Sequence, residues 1–228
     1  MEKKRSNADI ILVLSFVGMF SIIITIISDF ILLGKPSNAI LFLKLGTETM
    51  ADIAQWRITV GTFLGVLALP FQIFGLAPLY YGLKPSGRVM PLIVVILNAH
   101  ALLMGVAFHM SYAYIGSGWR IDYKMHTGDN ITSEIVNRFN YYWKLLIIII
   151  LIEIIVSSII YVILVWKGKT LLPKWMAALN PLCIVLFVFP FVFALPAPIG
   201  GYIAPAYLNL SSLVFIGFMT TQIYKKLK

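Results

Sequence analysis

Asn98-Ala-His100-Ala-Leu-Leu-Met-Gly-Val-Ala-Phe-His109-Met-Ser-Tyr112-Ala-Tyr114 is the stretch whose reading decides the fold. It lies in an apolar run over about 91–114 and sets one asparagine and two histidines into a segment otherwise suited to lipid. Polar groups at membrane depth are costly, so they face the interior of a bundle and tend to mark a site. The segment is read as a membrane helix around which the rest of the chain is wrapped.

Composition supports that reading. Hydrophobic residues make up 60% of the 228 and charged residues 12%, against about 25% charged in soluble domains. The expected fold is all-α: a single polytopic bundle with no separate soluble domain. Cys183 is the one cysteine, which excludes an intramolecular disulfide and a cysteine-based metal cluster.

Five further apolar runs join the first, giving expected spans of about 10–33, 58–81, 91–114, 141–166, 175–195 and 202–224. The first run is too long for a signal-peptide core and has no small-residue cleavage pattern after it, so it is read as a retained helix. Ser6 to Asp9 has the spacing of a helix N-cap with an acid in the first turn. Pro70 should kink the second span. Gly61-x-x-x-Gly65 permits close helix packing and is read as an internal contact. The two long connections, 34–57 and 115–140, are expected outer loops. A helix from Asp129 or Asn130, with Glu134 and Arg138 paired at i,i+4, should run on into the fourth span. It would hold Trp119 and His126 over the bundle as a partial lid.

The net charge of +9 follows topology. Six spans put both termini on one face. That face and its two short loops carry 11 of the 18 Lys and Arg: Lys3, Lys4, Arg5, Lys84, Arg88, Lys167, Lys169, Lys174, Lys225, Lys226 and Lys228. Lys and Arg favour cytoplasmic loops, so both termini are expected in the cytoplasm and the chain in the cell's inner (plasma) membrane. The lipid bilayer accounts for the basic excess, and nucleic acid is not an expected partner. Nothing bears on the oligomeric state.

The remaining polar residues are concentrated in the outer half, with Asn98 and Glu153 nearer mid-depth: Asp29, Arg57, Asn98, His109, Glu153 and Asn209 are the candidate ligand-binding residues. At about 100° per residue Asn98 and His109 are nearly eclipsed, whereas His100 and His109 diverge. A metal held by the two histidines is therefore not expected, and no cofactor is assigned. Asn98 and His109 are expected to face Glu153, with His100 on another seam. Plainer roles stand beside these: Asn98, Tyr207 and Asn209 as interhelical hydrogen-bond partners, His100 as a packing residue, Asp29 as an interfacial carboxylate and Arg57 as a snorkelling anchor. No phosphate-binding loop, His-Glu-x-x-His, Gly-x-Ser-x-Gly or dinucleotide fingerprint occurs.

The run Trp175-Met-x-x-Leu-Asn180-Pro181, a Pro-Gly turn, and Ala204-Pro205-Ala-x-x-Asn209-Leu, with Ser28-Asp29 and Phe108-His109, resembles a family of small uncharacterised bacterial membrane proteins. The resemblance covers most of the chain, implies six spans and brings no established activity. A weaker likeness, to metal-dependent membrane hydrolases of the ceramidase type, departs from that family in span number and in lacking a late His-x-x-x-His. The expected function is binding or transport of a small polar or amphipathic ligand in an outward-facing cavity. Two alternatives remain: a membrane-embedded lipid hydrolase, metal-dependent or not, using His100, His109, Asp29 and Glu153; and a non-catalytic membrane subunit.

Overall fold

The computed structural model describes residues 2–125 and 130–227, and no strand occurs among them. The α-helices are α1 (Glu2–Leu33), α2 (Ala39–Leu45), α3 (Gln55–Ala68), α4 (Ala77–Leu83), α5 (Val89–Met125), α6 (Asn130–Trp166), α7 (Pro181–Phe193), α8 (Ile199–Ile203) and α9 (Tyr207–Leu227). Among the described residues five helical stretches are long and apolar enough to cross a membrane: Ala8–Leu33, Gln55–Ser86, Val89–Lys124, Ser133–Trp166 and Ile199–Leu227. Their surfaces are apolar as well, with Phe16, Phe20, Leu67, Ile96, Leu103 and Ile152 all exposed.

The bundle has an upper end, carrying residues 34–57, and a lower end, carrying 84–88 and 167–174. Two of the three buried apolar clusters among the described residues lie toward these ends. The lower one gathers Ile22, Leu79, Leu83, Val165, Met176, Met219 and Ile223; the upper one gathers Leu32, Met50, Ile53, Ile58 and Tyr112. Between α3 and α4, Pro70 opens an eight-residue 3-10 stretch, Leu69–Leu76, where the missing backbone donor changes the hydrogen-bond register. The Gly61/Gly65 pair is an internal contact. A Cβ on Gly61 would lie 2.7 Å from Leu32 Cβ of α1, and one on Gly65 would lie 2.6 Å from His109 Nε2 of α5.

Several boundaries differ from the sequence reading. Helix α1 begins at Glu2, ahead of the expected cap at Ser6. The apolar part of α7 is only 13 residues, because Pro181 is its first residue. Asn180 is the N-cap: its Oδ1 accepts from the Cys183 amide at 3.0 Å, the role that asparagine favours. Before it, Lys174–Leu179 forms a 3-10 turn. That turn belongs to the lower end, where the Tyr161 hydroxyl donates to the Met176 carbonyl at 3.1 Å. The other end of α7 reaches the upper end, where Phe193 and Phe42 of α2 lie 6.4 Å apart. Residues 174–193 therefore traverse the bundle in two pieces.

The two expected outer loops are mostly helical. Residues 34–57 fold back as α2 and a 3-10 turn, Gly46–Met50. Helix α5 does not stop at Tyr114 but continues to Met125, and α6 starts at Asn130 and runs unbroken into the fourth span. Arg138 donates to Glu134 at 3.3 Å, as expected for i,i+4. The extension of α5 packs on the 46–58 segment: Trp119 Nε1 donates to Thr47 Oγ1 at 3.2 Å, and Arg120 donates to the Ile53 carbonyl. Trp119 thus sits on a helix and caps the upper core. The expectations for His126 and Asp129 lie outside the described residues.

Candidate functional site

The central feature is a cavity of about 150 Å³ between the two cores. It is walled by α1, the Leu69–Leu76 stretch, α5, α6, α7 and α9. On α5 its lining runs from Asn98 to Tyr112, roughly 21 Å at 1.5 Å per residue. Most of the wall is apolar, with Leu102, Phe108, Ile154, Val185, Phe215 and Ile216 among it.

One wall carries a connected polar cluster. Asp29, on the last turns of α1, is 5% exposed and His109 4%. His109 Nε2 lies 3.2 Å from Asp29 Oδ1, and Asn209 Nδ2 of α9 donates to Asp29 Oδ2 at 2.8 Å. Gln72, in the 3-10 stretch, donates to Asn209 Oδ1 at 3.4 Å and to Thr25 Oγ1 at 2.9 Å. Thr25 donates to the Ser21 carbonyl at 3.0 Å. Two other helices thus meet on the Asp29 carboxyl, and a further segment joins through Asn209, which is how such a group is satisfied in a low-dielectric interior. Gly65 makes it possible, because only a residue without Cβ lets the imidazole lie against α3. His109 also meets Tyr112 edge-on, with centroids 5.9 Å apart, and Phe108 stacks on Trp143 at 5.2 Å.

Of the six candidate residues, the structure brings together Asp29, His109 and Asn209, with Asn98 on the same cavity wall. Asn98 and His109 share a face, as their spacing predicts, but neither meets Glu153. The pairing is the reverse of that expected: His100 Nδ1 lies 2.5 Å from Glu153 Oε1. That pair sits in the seam between α5 and α6, with the His100 side chain 54% exposed and that of Glu153 13%, and Glu153 does not line the cavity. The reason is the angular divergence of the two histidines. Once His109 is turned inward, His100 must face outward. Arg57 is also outside the cavity. It donates to the carbonyls of Phe30, Ile31 and Gly34, satisfying acceptors that the C-terminal turn of α1 leaves open. Its position is that of a helix cap.

Gln72 and Thr25 are the site residues that the sequence reading left out. Gln72 is 1% exposed, and a buried amide following a mid-span proline was the signal for it. Among the described residues no three of His, Cys, Asp and Glu come together as a metal site.

Residues 1–226 match the model of a family of unknown function, DUF6796. The chain belongs to that family. No curated protein and no solved structure matches it. Membership brings no activity, so the functional reading rests on the geometry above.

Proposed function

We propose that the chain is an integral membrane protein that binds a small amphipathic ligand in its central cavity. In this reading it crosses the bilayer six times, residues 174–193 supplying the fifth crossing, and both termini are cytoplasmic. The upper end then faces outward and the cavity is reached from that side. Exposed aromatics support the placement. Trp56, Tyr114, Tyr141 and Tyr142 lie toward the upper end and Trp166 and Trp175 toward the lower, the positions of interfacial belts. The basic excess lies at the lower end, as cytoplasmic loops require.

The observation that carries the binding role is the fixed polar cluster on one wall of an otherwise apolar cavity. A few convergent polar groups in an apolar pocket are the usual makeup of a small-molecule site. The cluster would hold a polar head, and Leu102, Phe215 and Ile216 an apolar body. The metal-dependent hydrolase reading lacks a donor set among the described residues. The test is native mass spectrometry of gently purified protein, together with thiol labelling of Asn98→Cys in a Cys183→Ser background. A co-purifying small amphiphile, and labelling by a small charged thiol reagent from the outer face, are expected. Failure of both would refute the cavity as a binding site.

A further inference from the structure

We infer that the ligand of this cavity is a small apolar amine, bound as its ammonium ion. The inference deepens the binding role proposed above and rests on it.

Asn209 Nδ2 donates to one Asp29 oxygen, and His109 Nε2 lies 3.2 Å from the other. With the imidazole proton on Nε2 both oxygens accept, as those of a carboxylate do. His109 Nδ1 is buried with no partner among the described residues. A second N–H there would find no acceptor, so the arrangement is complete with a neutral imidazole donating through Nε2. The cluster then carries one negative charge.

Nothing in the wall neutralises it. No Lys or Arg lines the cavity among the described residues, and Arg57 is committed to the carbonyls of α1. The neutral polar groups that remain are mainly acceptors. Gln72 uses Nε2 on Thr25 and Asn209, leaving Oε1. Asn98 donates to the Val94 carbonyl at 2.7 Å, leaving Oδ1. Ser211 and Ser212 donate to their own helix. The donors left over are the second N–H of each asparagine and the Tyr112 hydroxyl, all uncharged.

A buried carboxylate held only by neutral donors is costly until a counter-charge arrives. An ammonium supplies that charge and three N–H donors for the free acceptors. The rings of Phe108 and Tyr112 in the wall add cation–π attraction. The long apolar slot along α5 suits an alkyl tail. A carboxylate ligand would be repelled, an alcohol would leave the charge unbalanced, and a quaternary ammonium could not donate.

The test uses the full chain in non-ionic detergent at neutral pH, titrated with hexylamine, 1-hexanol, hexanoate and hexyltrimethylammonium while the unfolding temperature is followed. Hexylamine should give a saturable rise with an apparent Kd at least tenfold below that of hexanol or the quaternary ion. Hexanoate should give none. In Asp29→Asn the preference for hexylamine over hexanol should vanish. Hexanol or the quaternary ion binding as tightly as hexylamine, hexanoate binding at all, or a preference that survives in Asp29→Asn, overturns the amine while leaving the cavity as a binding site. No saturable response to any probe overturns both. The ranking of the four probes needs no variant, so an Asp29→Asn chain that fails to fold does not remove the test.

Discussion

Replacing Gly65 by alanine should break the centre of the protein from a distance of one methyl group. The added Cβ would stand 2.6 Å from both Nδ1 and Nε2 of His109, where ordinary contact begins near 3.4 Å. Cε1 is nearer still, so the ring must retreat by about 1 Å, since the α3 backbone cannot. Overpacking of this kind costs about 1–3 kcal/mol. Unless the shift is straight toward Asp29, it also stretches the 3.2 Å contact between His109 and Asp29 past hydrogen-bonding range. A weakened bond to a buried charged group adds about 1.5–3 kcal/mol. The better helix propensity of alanine returns at most about 1 kcal/mol. The net loss is on the order of 2–5 kcal/mol, or roughly 5–20 °C on the scale of soluble chains of this length. The assay is thermal unfolding in detergent, run as a double-mutant cycle with His109→Ala. Removing the ring opens the space, so Gly65→Ala should then cost almost nothing, giving a coupling as large as its cost in the wild type, about 2–5 kcal/mol. Gly61→Ala, which meets Leu32 Cβ at 2.7 Å instead, should destabilise comparably but add to His109→Ala without coupling. Additive behaviour of Gly65 and His109 would falsify the packing that builds the site.

Arg57→Ala should lower stability by about 1–3 kcal/mol through the freed carbonyls of α1, with hexylamine binding changed less than twofold; a selective loss of binding would return Arg57 to the site. Glu153→Gln, at the pair with His100 between α5 and α6, should cost about 0.6 kcal/mol, the usual worth of an interhelical polar contact in a membrane, and leave cavity binding intact in the same titration. Reporter fusions after Lys84, Lys169 and Lys228 should report cytoplasm and those near Lys44 and Asp129 the outside, and one inverted pair would remove the six-crossing topology. Elemental analysis of the purified protein should find no stoichiometric zinc or iron; a metal lost on His109→Ala would revive the hydrolase reading.

The helical class and the long apolar stretches were legible in the sequence because they depend on local quantities: run length, charge density and the spacing of Pro and Gly. The rule that two histidines nine apart diverge is local too, and it holds, since His109 is buried and His100 exposed. The eclipsed pair Asn98 and His109 likewise share the cavity wall. The capped start of α7 at Asn180-Pro181 could be spelled out in residues, although its boundary was placed too early.

Which partner each polar residue finds was not legible, because that depends on how helices far apart in sequence are rotated and shifted against one another. Asp29 meets Asn209 across 180 positions and His109 across 80, and no periodicity along one helix encodes such a register. Depth alone placed Arg57 and Glu153 beside the site; helix rotation sent one to the end of α1 and the other to the seam between α5 and α6. Gln72 moved the opposite way, because Pro70 starts the 3-10 stretch that turns its amide onto Asn209. The amino-acid sequence by itself determined which groups would need partners in an apolar interior, since transfer cost belongs to each side chain alone. Only the tertiary structure decided which groups satisfy one another, because hydrogen bonds form over about 3 Å and that distance is set by packing between helices.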